Sequence, residues 1–239
     1  MNPAIRLNIW SGPRNVSTAL MYSFAQRSDT RVVDEPLYAH YLRHTGADHP
    51  GRERVLAAQD DDGARVVRDV ILGPSDRPLV VFKQMAHHLV GLDPGFLALT
   101  ANVLLTREPE EMLTSLVENI PDPILRDTGY AAQTAIAAQL ASIGQEPCVL
   151  VAHRLLQDPE GLLTRLCARL GLPFERAMLS WEAGPRPEDG VWAPFWYASV
   201  HRSRGFQPYR PKAARVPPRL APLLEECRTH YARLLEHAL

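Results

Sequence analysis

The sequence predicts an α/β fold: a mostly parallel central sheet of about five strands, flanked by helices, with a loop-rich C-terminal cap. Three observations lead there. Short apolar runs of strand length alternate with stretches of helical periodicity. Three of those runs, 78–83, 102–107 and 148–153, are almost continuously apolar, as strands covered on both faces are, and each ends in a basic side chain. The first strand also passes into a helix through a tight Gly-Pro turn. Strand and helix in alternation imply a parallel sheet wrapped on both sides.

The elements follow in order. Ile5, Leu7 and Ile9 alternate as a strand does, until Trp10-Ser11-Gly12-Pro13 breaks the pattern. Asn15 is the expected N-cap of a helix with Val16, Ala19, Leu20, Ser23 and Phe24 on one stripe. A loop turning sharply from strand to helix aims backbone N–H groups and the positive end of the helix dipole at one spot, which suits an anion. This loop adds a cation, Arg14, and two hydroxyls, Ser17 and Thr18. Thr30 to Pro36 reads as a second strand stopped by proline. Leu37 to His44 reads as a helix. Its His40 and His44 share a face, but the glutamate of a zinc-protease motif is missing, so a solvated face is expected. Residues 45–77 form a polar excursion with one helix over 52–59. Its Asp60-Asp61-Asp62-Gly63 run is expected to be a solvated turn, because the remaining calcium-ligand spacing is absent.

After the strand ending at Lys83 comes the one ending at Arg107. Pro109-Glu110-Glu111 then starts a helix that buries Met112, Leu113, Leu116, Val117 and Ile120. Helices are predicted over 130–143 and from Asp158-Pro159-Glu160 to Gly171, with the strand 148–153 between them. Residues 173–239 make a cap rich in Pro, Trp and Arg, closed by an amphipathic helix over 218–237. Within the cap, Trp192 to Tyr197 is expected to pack on the core, the alternative being that it covers a ligand pocket. No linker divides the chain, so residues 1–239 are read as one domain.

Of the 239 residues, 46% are apolar and the net charge is −1. Such balance argues against coating a polyanion or a charged membrane surface, so neither nucleic acid nor membrane is an expected partner. No apolar run reaches the roughly 20 residues of a membrane span. The three cysteines, at unrelated spacings among apolar neighbours, suggest reduced thiols in a cytoplasmic protein. Cations are almost all arginine; Lys83 and Lys212 are the only lysines.

In open α/β sheets, ligands sit beyond the carboxyl ends of the strands. Those ends here are the 12–18 loop, Asp34-Glu35, Lys83, Arg107 and His153, so the expected ligand is a compact polyanion. A magnesium-dependent nucleotide site would carry G-x-x-x-x-G-K-[ST] and a strand-end aspartate. The loop has neither a second glycine nor that lysine, and the strands end in Lys83 and Arg107. Charge is expected to be neutralised by side chains, without a metal.

Pro13-Arg14-Asn15-Val16-Ser17-Thr18 resembles the phosphate loop of sulfotransferases that use 3′-phosphoadenylyl sulfate (PAPS), a P-loop-like superfamily. Arg107 with Ser115 eight residues on resembles that family's 3′-phosphate motif. Lys83 is similar to its strand-end lysine, Asp34-Glu35-Pro36-Leu37 to the Glu-Pro-Leu of carbohydrate-type members, and 155–174 to its downstream helix. Ser203-Arg204-Gly205 is a fainter echo. The resemblance implies that Pro13, Arg14, Asn15, Val16, Ser17, Thr18, Arg107, Ser115, Arg204 and Gly205 bind PAPS as co-substrate. It further implies that Arg14 and Lys83 stabilise the leaving phosphate, and that Glu35 or, failing that, His87 is the base. The acceptor it implies is a small-molecule or carbohydrate-like hydroxyl or amine.

Departures from the pattern bear on the acceptor. Val16 replaces the usual loop glycine, Ala152-His153-Arg154-Leu155 stands where many members have Tyr-Glu-Asp-Leu, and Lys83 is not followed directly by histidine. The alternative reading is a P-loop-like nucleotide-binding protein, either a kinase relative or a non-catalytic binder. The sequence does not specify an oligomeric state.

Overall fold

The computed structural model describes residues 4–211 and 215–239. Five strands, β1 (Ile5–Ser11), β2 (Thr30–Asp34), β3 (Leu79–Met85), β4 (Ala101–Thr106) and β5 (Val149–Val151), form one all-parallel sheet in the order β2-β3-β1-β4-β5. β1 lies at the centre, where the strand order reverses, and this is where such sheets open a crevice at their carboxyl edge. Alternation sends Trp10, Val80, Phe82 and Leu104 to one face and Leu7, Ile9, Val81, Val103 and Leu105 to the other. Both faces are therefore covered. Buried amides also tie the strands edgewise: Gln84 donates to Asn8, and Trp10 Nε1 donates to Asn102 Oδ1 at 3.0 Å.

The helices are α1 (Ser17–Phe24), α2 (Tyr38–Thr45), α3 (Arg52–Ala58), α4 (Gly63–Val66), α5 (Pro109–Leu116), α6 (Leu125–Thr128), α7 (Tyr130–Ser142), α8 (Ala152–Gln157), α9 (Pro159–Arg169), α10 (Ala193–Trp196) and α11 (Ala221–Leu235). One apolar layer joins α5, α7 and α11 to the sheet, and the other joins α1 and α9. A smaller cluster packs α2 and α3 against Trp192, Ala193 and Tyr197 of the cap.

Four expectations are corrected. The last strand stops at Val151, where its pairing with β4 ends and the sequence from Ala152 carries helix formers around buried Leu155. His153 thus lies on α8 and does not end a strand. β3 continues two residues past Lys83, because Gln84 and Met85 still pair with Trp10 and Ser11. His40 does not face solvent: it is buried, with Nε2 2.8 Å from the Val90 carbonyl. The excursion contains α4 as well as α3, started by Asp62, which accepts from the Arg65 amide. Arg65 and Arg43 engage the neighbouring Asp60 and Asp61.

One edge of the sheet is stopped by the chain itself. Val149 donates to the His237 carbonyl at 3.0 Å and accepts from the Leu239 amide at 2.9 Å, a parallel bridge opposite Ala238. Among the described residues, no helix is long and apolar enough to cross a membrane.

Candidate active site

The turn after β1 is built from both sides. Gly12 lies so close to the Thr128 carbonyl that a Cβ would come within 3.0 Å of it, so a larger residue would push the loop outward. Arg14 is left-handed (φ 54°), a conformation that costs a side chain about 1 kcal/mol or more. It is held there because its carbonyl accepts from Arg107 Nη1 at 2.6 Å and its Nε donates to Ser115 Oγ at 2.9 Å. Asn15 is not the expected helix cap. Val16 occupies that position, and Asn15 donates to the Leu105 carbonyl at 2.9 Å, fastening the loop to the end of β4. Gln133 of α7 adds bonds to the carbonyls of Trp10 and Leu105 (3.0 and 2.8 Å), clamping the same two strand ends.

Arg107 is aimed by Glu111, four residues on, with Nε and Nη2 3.1 and 3.0 Å from Oε2. Tyr209 of the cap donates to the other oxygen of Glu111 at 2.7 Å. Burial, with Arg107 nearby, lowers the pKa of Arg14, against the pull of Glu118. A low-dielectric pair of cations facing an open cleft favours an anion between them.

The second half of the site is deeper. Register places Asp34 opposite Lys83, and Glu35, left-handed at φ 39°, donates its amide to the Lys83 carbonyl at 2.8 Å. Lys83 Nζ donates to Asp34 Oδ1 (2.9 Å), to Glu35 Oε1 and to the Tyr197 hydroxyl (2.6 Å). Burial pushes the Glu35 carboxyl up to about 6, Lys83 opposing and Asp34 reinforcing the shift. For Lys83, burial pulls down, but the two carboxylates outweigh it and lift its pKa to about 12.

Beside this trio lies a wall of rings. His88 stacks on Tyr38 and Tyr41 with centroids 4.8 and 4.7 Å apart. Its Nδ1 is 3.9 Å from Glu35 Oε2, too far for a hydrogen bond. His87 meets Tyr41 edge-on and leaves a buried Nδ1 without a partner. Burial, then the neighbouring His49, pushes His87 down to about 3; His88 is also held far below the ordinary histidine range by burial and by His87. Both are neutral at pH 7.

One cleft of about 510 Å³ joins the two halves. Of the residues expected from sequence, it brings together Pro13, Arg14, Asn15, Val16, Ser17, Thr18, Glu35, Lys83, His87, Arg107, Ser115 and Gly205. Arg204 does not line it; its side chain is exposed, and its carbonyl accepts from the Trp181 amide. From sequence, Asp34 stands out only as a strand end without a role of its own, and His88, Gln133 and Tyr197 are given no role in the site. Among the described residues, no group of three or more His, Cys, Asp or Glu is placed to hold a metal ion.

A family model for the sulfotransferase domain matches residues 5–218. The chain belongs to the sulfotransferase family. It is 43% identical over 234 residues to branched-chain-amino-acid aminotransferase-like protein 1 of Arabidopsis thaliana, covering 98% of this chain and 40% of that protein. It is 39% identical over 232 residues to branched-chain-amino-acid aminotransferase-like protein 2 of the same plant, covering 97% of this chain and 41% of that protein. The sulfotransferase chain thus spans about 40% of the length of these curated relatives. Among solved structures it is similar to the sulfotransferase domain from the curacin biosynthetic pathway (17% identity, 97% of each chain, TM-score 0.50). It is also similar to the sulfotransferase from Alicyclobacillus acidocaldarius (11% identity, 98% of this chain and 97% of that one, TM-score 0.50). At such identities the structural likeness is one of fold.

Proposed function

We propose that this sulfotransferase takes its sulfuryl group from PAPS and passes it, without a metal, to a hydroxyl or amine of a small-molecule or carbohydrate-like acceptor. One observation carries the reading: a single cleft holds two loop-bound arginines at one end and a buried Glu35–Lys83 pair at the other. The residues fit such a donor. Arg107 and Ser115 meet its 3′-phosphate; Arg14, the buried hydroxyls of Ser17 and Thr18, and the first turn of α1 meet its 5′ end. In the reaction the acceptor oxygen or nitrogen bonds to sulfur while the bond from sulfur to the phosphate oxygen breaks. The electron pair leaves with that oxygen, where Arg14 and Lys83 stabilise it, and the acceptor proton passes to Glu35. A carboxyl lifted to about 6 is mostly ionised at neutral pH and is a stronger base than an ordinary carboxylate. His87, neutral and lacking a partner at Nδ1, is the second choice for that proton. We place the protein in the cytoplasm, supported by three buried free thiols.

Calorimetry with adenosine 3′,5′-bisphosphate, with and without EDTA, tests the donor. Equal binding in both is expected. Tight ATP–Mg binding with no bisphosphate binding would overturn the reading in favour of a nucleotide-binding protein.

A further inference from the structure

Tyr197 lies in the aromatic stretch of the cap, where core packing was expected, and its ring is buried. Its hydroxyl does more than fill space. It accepts from Lys83 Nζ at 2.6 Å and from Trp192 Nε1 at 3.0 Å, and it donates to Asp34 Oδ2 at 2.7 Å. A phenol has one proton to give and two lone pairs to receive with, so the group is used to capacity. Lys83 is used to capacity as well: its three N–H bonds go to Asp34, Glu35 and Tyr197. The directions are fixed. Burial and Asp34 hold the Tyr197 phenol far above its ordinary pKa, so it stays protonated, and Asp34 takes that proton in a hydrogen bond while also accepting from the Gly190 amide. Phenylalanine would occupy the same space and satisfy none of these partners.

We propose that Tyr197 is a positioning residue for Lys83, through which the cap sets where the lysine ammonium stands at the inner end of the cleft. For catalysis this rests on the role given above to Lys83; the tie itself does not. Without the hydroxyl, Lys83 keeps only its two carboxylates, which come from consecutive residues, and Nζ is free to swing toward them. A shift of that kind, on the order of 1 Å, is enough to lower a positioned group's catalytic effect by roughly a hundred-fold.

The test needs no donor to begin with. The chain has only two lysines, so a Lys212→Arg background leaves Lys83 as the single lysine signal in a side-chain 1H–15N spectrum. At pH 7, Tyr197→Phe should shift that ammonium signal and speed its hydrogen exchange roughly two- to ten-fold, the loss of one hydrogen bond. Under PAPS turnover, kcat should fall roughly ten- to a hundred-fold, while calorimetric affinity for adenosine 3′,5′-bisphosphate stays within about twofold. An unchanged ammonium signal, or kcat within about twofold of the parent, overturns the proposal. If Tyr197→Phe does not fold, Trp192→Phe removes the donor that orients the hydroxyl and keeps an aromatic ring in its place. It should move the same signal in the same direction but less, and no movement again overturns the tie. A moved signal in a protein that shows no PAPS turnover upholds the tie and defeats the sulfuryl-transfer reading alone.

Discussion

Each end of the cleft pairs a cation with carboxylate, but under different solvent conditions. At the outer end, Arg107 keeps about a quarter of its side chain exposed and is held by a backbone carbonyl and one carboxylate. At the inner end, Lys83 and Asp34 are almost wholly buried, and two carboxylates share one ammonium. The consequence shows in the acids. A carboxylate beside a cation ordinarily ionises more easily, yet burial outweighs the cation at Glu35 and its pKa rises. Partial exposure suits recognition of a charged ligand that arrives from water; desolvation suits a group whose proton must move near neutral pH.

If that contrast holds, the largest effect belongs to the inner end. Glu35→Gln should lower kcat by roughly a hundred-fold or more while leaving bisphosphate affinity within about twofold. The parent enzyme should lose kcat below pH about 6, as Glu35 takes up its proton. A Glu35→Gln enzyme of near-normal rate, with an acidic limb that vanishes instead in His87→Ala, would transfer the role to the histidine.

At the outer end, Arg107→Ala should cost roughly 1.5–3 kcal/mol in affinity for adenosine 3′,5′-bisphosphate and little for AMP, read by competition calorimetry. Equal losses for both nucleotides would make Arg107 a support for the Arg14 carbonyl and nothing more.

The smallest effect concerns stability. His87 and His88 have folded-state pKa values depressed below the ordinary 6.5. Their contribution is complete above that pH and is lost as pH falls, by at most about 1.4 kcal/mol per unit for each. Glu35, raised to about 6, acts the other way, destabilising as pH rises from 4.5 through 6. The window between pH 6.5 and 6 is governed mainly by the histidines, so thermal melts should show Tm falling there. A flat or rising Tm across it would mean that the histidine wall is open to water.

The outer end was legible in the sequence because its parts are local. The 12–18 loop is one turn, and Arg107 and Ser115 are two turns apart on the approach to one helix. The inner end needed information that only pairing supplies. Asp34 and Lys83 become neighbours through the β2–β3 register, which no short-range spacing encodes. Tyr197 reaches them from 114 positions beyond Lys83, and its aromatic stretch reads first as core, with a pocket cover as the alternative, and not as a partner of Lys83. His40 misled for a related reason. A polar spacing on a helix does not reveal that the 86–90 turn will cover it and offer the Val90 carbonyl. The length of β5 was overread because a continuous apolar run looks alike in a buried strand and in the first turn of a buried helix.

The bridge between residues 237–239 and Val149 bears on how these molecules treat one another. A parallel sheet ending in a bare strand offers its free N–H and C=O groups to any other unpaired strand, and that is a common start for aggregation. Here the outer donor and acceptor of Val149 are already occupied by His237 and Leu239, so the three-residue segment works as a stopper. Removing it would leave every residue of the cleft in place and yet open a docking edge for a second copy. The cost of such a truncation would fall on solubility, seen as light scattering that climbs with concentration, well before it reached turnover.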